Sequence, residues 1–265
     1  MIIAISGKMN SGKDEIGNII RYLLYKERYK GVAHVVEYPY LSDMDKRLLD
    51  AEDGFVVKKF ADKLKQIVCI LLNCTREQLE DREFKDIVLG EEWWYFKCLH
   101  PFELGSLVPY EGNISKINSL HWELIKLTPR LILQLLGTEA GRNIIHPNIW
   151  INALMSEYKD KYARSTWWGR HPKYPAWIIT DMRFPNELMA VNKFNAITIR
   201  VNSNFNYANA PALNEDNGKA PVVEHESETA LDHENFKYTI QNTAGIAELV
   251  EAVTYILVQE KLIAQ

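Results

Sequence analysis

The residues with the clearest chemical signature lie near the start of the chain. Gly7-Lys8-Met9-Asn10-Ser11-Gly12-Lys13 has the spacing G-x-x-x-x-G-K, in which glycines permit a tight loop whose backbone N–H groups converge on a phosphate. The apolar run Ile2–Ser6 precedes this loop, and a helical pattern from Lys13 to Tyr25 follows it. Such a helix points its positive end at the same phosphate, and Lys13 can follow charge between the β- and γ-phosphates. We therefore predict a nucleotide phosphate site; the alternative is an ordinary strand–loop–helix turn.

Asp14 stands where serine or threonine usually binds magnesium in a loop of this kind. A carboxylate beside a triphosphate is repelled unless a cation lies between them, or unless the carboxylate caps helix N–H groups. Two interpretations stay open here: Asp14 helps to hold Mg²⁺, or it caps the helix.

A second set of polar residues follows an apolar run that ends at Asp181. At the end of a strand beside a phosphate loop, Asp181 can orient Mg²⁺ or its water, and Arg183 can bind a phosphate through two nitrogens. The alternative is a plain helix N-terminus, with Pro185 in the first turn and Glu187 favouring the helix dipole.

Arg130, Gln134 and Thr138 recur every four residues and so share one face of a predicted helix. Arginine suits a phosphate and glutamine suits the edge of a base, while Gly137 permits close approach. A solvated helix face is the alternative interpretation.

Two basic stretches are candidates to complete the site. Asp81–Lys85 alternates in charge, which is typical of a solvated surface, and it contains Arg82. Arg164–His171 combines arginines with tryptophans and is a candidate for a mobile lid near 163–175. The alternatives for this loop are an aromatic surface loop and a self-association patch, which would make the protein a homodimer.

The elements that must position these residues alternate between strand and helix. After the first strand and helix, strands are predicted at Val32–Tyr38, Phe55–Phe60, Ala176–Thr180 and Ala196–Val201. Helices are predicted at Ala61–Asn73, from Thr75, at Pro129–Asn143, at Asn148–Tyr162, from Pro185 and at Ala244–Leu262. This alternation predicts an α/β fold whose mainly parallel sheet has helices on both faces. We expect one domain over 1–265, with an irregular insertion near 93–122.

The composition of the chain limits the kinds of partner that we expect it to bind. The 265 residues are 47% hydrophobic and carry a net charge of −4, so we expect no global attraction to nucleic acid or to an anionic membrane. Three scattered cysteines, and an apolar N-terminal run too short for a signal peptide or a membrane helix, predict a cytoplasmic protein.

Together these segments resemble the phage-type deoxynucleoside monophosphate kinases, a branch of the P-loop kinases. The segments that carry the resemblance are Ser6-Gly7-x-x-x-Ser11-Gly12-Lys13-Asp14, Phe60-Ala61-Asp62-x-Leu64-Lys65, Arg130-Leu131-x-x-Gln134-x-Leu136-Gly137-Thr138, Trp150, Asp181-x-Arg183-x-x-x-Glu187 and His225-x-Ser227-Glu228-x-x-Leu231. They occur in the order found in that family, and Asp14 is the residue that the family carries.

The resemblance implies a three-layer fold of the P-loop NTPase type and the use of ATP and Mg²⁺. It implies transfer of the γ-phosphoryl group to a deoxynucleoside monophosphate, with Lys13, Asp181 and Arg183 at the reacting groups. ATP and its phosphates are expected at Gly7, Asn10, Ser11, Gly12, Lys13, Asp14 and Glu15, with Mg²⁺ at Asp14. The monophosphate is expected at Lys65, Arg82, Arg130, Gln134, Gly137, Thr138, Trp150, Asp181, Arg183 and Glu187.

Two other functions stay open. One is a P-loop kinase for a different phosphorylated metabolite, such as phosphomevalonate, with an apolar acceptor pocket. The other is a non-catalytic protein that binds nucleotides or nucleic acid through the tryptophan-rich loop.

Overall fold

The structure is a computed structural model that describes residues 1–30, 38, 55–100, 105–112, 121–159, 174–203, 229–243 and 245–264. The chain divides into unit 1, Met1–Phe60 with Ile151–Gln265, and unit 2, Ala61–Trp150. The expectation of a single domain stays a prediction. Nearly all of the predicted strand Val32–Tyr38 and of the lid near 163–175, and all of the segment His225–Glu228, lie outside the described residues.

Strands and helices alternate along most of the described chain. In chain order, the elements are β1 (Ile2–Gly7), α1 (Lys13–Arg28), β2 (Val56–Lys58), α2 (Asp62–Leu72), α3 (Arg76–Glu80), α4 (Arg82–Asp86), a 3₁₀ turn (Glu91–Trp93), β3 (Trp94–Cys98), β4 (Leu107–Pro109), β5 (Trp122–Lys126), α5 (Pro129–Gln134), a π-helical segment (Leu135–Ile145), α6 (Ile149–Met155), β6 (Trp177–Met182), α7 (Pro185–Asn192), β7 (Ile197–Ser203), β8 (Tyr238–Asn242) and α8 (Ile246–Gln259).

Unit 1 is built on a sheet whose described strands have the order β2-β6-β1-β7-β8 and are all parallel. β1 is central, and each of its residues from 2 to 7 is buried. Ile3 and Ile5 pack into a core with α1 and α8, whereas Ile2 and Ala4 pack into a second core with α7. A strand covered on both faces reads as a continuous apolar run. The predicted α/β fold is confirmed, and it is consistent with the P-loop NTPase type.

Unit 2 contains a separate antiparallel sheet with the order β4-β3-β5. The described part of the insertion near 93–122 therefore includes two strands, whereas the sequence predicted irregular structure. The pairing of β3 with β5 joins Trp94 to Lys126 and Cys98 to Trp122, and such non-local pairing leaves little local signal. The predicted helix start at Thr75 is confirmed, because Thr75 Oγ1 accepts from Gln78 N at 3.2 Å.

The predicted helix Pro129–Asn143 changes its hydrogen bonding part of the way along. It is α-helical to Gln134 and π-helical from Leu135 to Ile145. Trp150 Nε1 donates to the carbonyl oxygen of Gly137 at 2.8 Å, which is the acceptor that residue 141 uses in an α-helix. Trp150 thus engages a backbone carbonyl oxygen within the segment where the hydrogen bonding is π-helical.

The strand β8 was absent from the sequence prediction, which placed the last helix at Ala244–Leu262, whereas α8 spans Ile246–Gln259. No helix in the described ranges combines the length and apolar character that crossing a membrane requires.

Candidate functional site

The phosphate loop joins β1 to α1 at the carboxyl end of the central strand, where α/β folds usually bind ligands. Asn10 and Gly12 have φ values of 60° and 93°, so the backbone at two residues of the loop lies in the left-handed region. Gly12 is the N-cap of α1 and provides no capping side chain. The N–H groups of the first turn therefore receive no cap from that residue and are directed towards the loop.

Lys13 is buried within this loop, with 8% of its surface exposed. Its Nζ donates to the carbonyl oxygen of Lys8 at 2.5 Å, and the backbone N–H of Ser11 donates to the same oxygen at 3.2 Å. The ammonium group is thus held against the loop backbone, and its contact with the β- and γ-phosphates stays a prediction.

Asp14, in the first turn of α1, contacts residues of the sheet and its edge. Its Oδ1 accepts from Thr180 Oγ1 at 2.7 Å and forms an ion pair with Lys59 Nζ at 2.8 Å. Desolvation acts to raise the pKa of Asp14, but hydrogen bonds from Lys59 and Thr180, with the charges of Lys59 and Lys13, lower it overall. The carboxylate is therefore ionised at neutral pH, which is the form that binds Mg²⁺.

The residues predicted around β6 make backbone contacts. Asp181 Oδ1 accepts from the N–H of Phe60 at 2.8 Å. Glu187 is buried, and its Oε2 accepts from the N–H groups of Arg183 at 2.7 Å and Phe184 at 3.1 Å. Glu187 therefore caps the N-terminus of α7. The ligand roles of Asp181, Arg183 and Glu187 stay predictions.

Arg200 and Asp232 belong to the surroundings of the loop but were not predicted from the sequence. Arg200 Nη1 donates to Ser6 Oγ at 2.9 Å, and its Nη2 forms an ion pair with Asp232. Its guanidinium also lies 5.8 Å from the ring centre of Phe236. Arg200 becomes recognisable once β7 is paired with β1, because that register sets Ser6 opposite Arg200.

A cavity of about 580 Å³ opens between the loop and the end of β7. Its lining includes Lys8 and Met9 of the loop, together with Arg200, Asp232 and Phe236. This volume lies within the range of about 300–1,000 Å³ that is typical of small-molecule sites.

In unit 2, the structure brings several of the predicted cations together. Lys65 pairs with Glu80 at 2.7 Å, and Arg130 binds Asp86 through two nitrogens, at 2.6 and 2.9 Å. Burial lowers the pKa of Lys85; Glu80 opposes this, and the positive charges of Lys65, Arg130 and Arg82 add to it. These four residues form a cationic cluster, defined as Lys65, Arg82, Lys85 and Arg130.

The other predicted residues of unit 2 differ in exposure. Gln134 is exposed and Thr138 is half-buried. Trp150 is buried, and Gly137 lies so close to α2 that a Cβ on it would come within 2.9 Å of Leu64 Cδ2. Trp150 and Gly137 therefore have a packing role, and their contact with a ligand stays a prediction.

Sequence reasoning missed several polar residues of these sites, among them Lys59, Lys85, Arg200 and Asp232. Lys85 lay within the charged run that was interpreted as solvated surface. The others give no local pattern, because their partners are far away in the sequence.

Comparison with known proteins gives one curated relative. No family model matches the chain. The chain is 27% identical over 153 residues to the deoxynucleoside-5'-monophosphate kinase of Escherichia phage T5. This match covers 48% of the chain and 55% of that protein. The chain thus spans about half the length of this relative, to which it is distantly similar.

Proposed function

We propose that this protein is an ATP-dependent nucleoside monophosphate kinase that transfers the γ-phosphoryl group to a nucleoside or deoxynucleoside monophosphate. The observation that carries the proposal is the phosphate loop after β1, with Lys13 buried against its backbone. The similarity to a phage enzyme named deoxynucleoside-5'-monophosphate kinase supports the same reaction.

Phosphoryl transfer needs positioning and charge neutralisation rather than a covalent intermediate on the protein. In the proposed reaction an oxygen of the monophosphate attacks the γ-phosphorus in line, and ADP leaves. The loop N–H groups and the Lys13 ammonium stabilise the charge that accumulates on the β- and γ-phosphate oxygens. For this, Lys13 exchanges its bond with the Lys8 carbonyl for a phosphate oxygen. Arg183 is proposed to neutralise the transferred group.

Asp14 suits magnesium because it is an ionised carboxylate in the first turn after the loop. Bound with nucleotide, Mg²⁺ supplies charge neutralisation of the phosphates, and it usually takes its other ligands from phosphate and water. We propose that Asp14 would hold Mg²⁺, while Lys59 and Thr180 keep the carboxylate in place.

The cationic cluster of unit 2 is proposed to bind the acceptor phosphate. Glu80 accepts from Lys65 at 2.7 Å and from Arg76 Nε at 2.8 Å, and its second oxygen lies 3.8 Å from Lys85. Carboxylates thus supply anionic partners for these side chains, and a phosphate monoester, with a charge of about −1.5 to −2 at pH 7, can accept hydrogen bonds from several of these cations at once. Lys85 is added by this argument to Lys65, Arg82 and Arg130.

The test is release of ADP from ATP and Mg²⁺ over a panel of ribo- and deoxynucleoside monophosphates, with phosphomevalonate included. We expect turnover with one or more nucleotides, and loss of turnover when EDTA removes the metal. Lys13→Ala should lower kcat by roughly 10²–10³-fold with an unchanged Tm, whereas Lys193→Ala, at an exposed lysine after α7, should match the parent.

Three results would contradict parts of this proposal. Turnover with phosphomevalonate alone would identify a different acceptor. ATP binding without ADP release on any acceptor would indicate a non-catalytic protein. Near-normal turnover by folded Lys13→Ala would reject the role given to the phosphate loop.

A further inference from the structure

Asn242, the last residue of β8, contacts the phosphate loop from the far end of the chain. Its Nδ2 donates to the carbonyl oxygen of Ser11 at 2.9 Å, across 231 positions of sequence. The same nitrogen would lie 2.7 Å from a Cβ placed on Gly12. The Asn242 amide therefore packs directly on the Ser11–Gly12 peptide.

This contact fixes the orientation of one peptide group. A trans peptide is planar, so its C=O and N–H bonds point in opposite directions. Because the Ser11 carbonyl is turned towards Asn242, the N–H of Gly12 is turned away from Asn242. Glycine alone tolerates a φ of 93° readily, and the αL conformation of Asn10 adds local strain. Such a loop keeps its conformation when the surrounding structure holds it.

The sheet supplies a rigid base for this contact. Asn242 is paired with Ser203 of β7, and Val201 of β7 is paired with Gly7, the first glycine of the loop. Ile240, two residues before Asn242, is buried in the core beside α1 and α8. The donor and the start of the loop are thus parts of one hydrogen-bonded sheet, and a group held on regular elements is positioned accurately.

We propose that Asn242 is a positioning residue that holds the phosphate loop in its phosphate-binding conformation before the ligand arrives. By fixing the Ser11 carbonyl, it directs the N–H of Gly12 at the phosphate chain of the nucleotide. The inference rests on the proposed function for the identity of that ligand. Asn242 touches the loop rather than the ligand, so it is not a catalytic residue.

The chemistry of the side chain makes this role testable. Asparagine donates a hydrogen bond without adding charge near a polyphosphate. An ionised aspartate has the same shape, but it cannot donate, and it faces the Ser11 carbonyl with a second acceptor. Asn242→Asp therefore changes the donor and the charge while keeping the volume, whereas Asn242→Ala removes the contact.

The experiment measures binding of ATP, of inorganic tripolyphosphate and of the preferred acceptor monophosphate to the 265-residue chain. The variants are Asn242→Ala and Asn242→Asp, and the matched control is Gln241→Ala, at the exposed neighbour on the same strand. We expect Asn242→Ala to raise Kd for ATP and tripolyphosphate about tenfold, and Asn242→Asp to raise it further. For both Asn242 variants, Kd for the acceptor monophosphate and the Tm should stay near the parent values. For Gln241→Ala, every Kd and the Tm should stay near the parent values.

The outcomes separate this inference from the proposed function. Parent-like binding of tripolyphosphate by Asn242→Ala would overturn the inference, and so would an equal loss for all three ligands with a lowered Tm. A parent that binds ATP but transfers phosphate to no acceptor overturns the kinase proposal alone, and the tripolyphosphate comparison still decides the role of Asn242. A parent that binds neither ATP nor tripolyphosphate overturns both.

Discussion

At the scale of single residues, the proposed acceptor site depends on two side chains with different exposure and different partners. Arg130 holds a bidentate ion pair with Asp86, whereas Gln134 is exposed on the same helix. Arginine offers two parallel N–H donors to a carboxylate, and it can offer the same pair to a phosphate. Because every monophosphate carries that phosphate, Arg130 is expected to bind all acceptors, whereas Gln134 is expected to distinguish their bases.

Acceptor choice should therefore respond differently to substitution of these two residues. Arg130→Ala should lower kcat/KM for all nucleoside monophosphates by a similar factor. Gln134→Leu should change their order of preference, because a bound base that covers this exposed position would leave its own polar edge unpaired against leucine, which costs about 1–3 kcal/mol once that edge is buried. The measurement is kcat/KM for each monophosphate with the parent and both variants. If Gln134→Leu leaves the order of kcat/KM among the monophosphates unchanged, Gln134 does not contact the base and is only a solvated residue.

At the scale of elements, the packing of α1 on the sheet sets the position of Asp14. A Cβ placed on Gly17 would come 2.8 Å from Thr180 Cγ2, and Thr180 is buried. Thr180 also donates to Asp14, so it cannot rotate away without losing that hydrogen bond. The glycine is thus required for the close approach of helix and strand.

Gly17→Ala should consequently destabilise the protein, although alanine is the better helix former. Overpacking costs about 1–3 kcal/mol and the gain in helix propensity is about 1 kcal/mol, so we expect a net loss near 1 kcal/mol and a fall in Tm of about 2–4 °C. The control is Asn18→Ala, at the exposed next residue of α1, which should raise Tm slightly. A rise of similar size in both variants would show that α1 and β6 do not pack this closely.

Elements with strong local patterns were the ones that the sequence could predict. β1 has an apolar run, the loop after it has two glycines, and α1 has a 3.6-residue period. The structure confirms the strand, the loop and the helix at these positions. β8 was missed because its pairing with β7 is non-local and leaves little signal in the strand itself. The change to π-helix was also missed, and the contact of Trp150 with Gly137 beside it gives no local pattern either.

At the scale of the whole molecule, charge is arranged as local pairs rather than as a field of one sign. The net charge is −4, and each described unit contains cations paired with carboxylates, such as Lys59 with Asp14 and Lys65 with Glu80. A polyanion must compete with the carboxylates of these pairs. We therefore expect compact phosphate ligands that engage several cations at once to bind better than a long nucleic acid held by dispersed charges.

The same pairs predict how stability depends on pH. In unit 2, burial acts to raise the pKa of Glu80, but Lys65 and Arg76 outweigh it, so the pKa lies below its usual value. In unit 1, Lys59 and Thr180 lower the pKa of Asp14 in the same way against desolvation. A carboxyl group with a lowered pKa binds protons more weakly in the folded state than in the unfolded state. Its contribution is therefore present above the usual carboxyl range of about 3.9–4.3, and it is lost as pH falls through the lower folded value.

Glu80→Gln tests this sign, because glutamine keeps an acceptor for Lys65 and Arg76 but cannot titrate. Urea unfolding at pH 7 should give a free energy of unfolding below that of the parent by roughly 0.5–1 kcal/mol, the range for a partly exposed ion pair. As pH falls below the usual carboxyl range of about 3.9–4.3 and then through the lowered pKa of Glu80, the parent protonates this group and loses the same contribution, so the difference should shrink as the pH is lowered. Glu139→Gln, at an exposed residue of the same unit, reports the effect of a change in net charge alone. A difference between parent and Glu80→Gln that stays constant from pH 7 to pH 3 would mean that the contacts of Glu80 do not favour its ionised form.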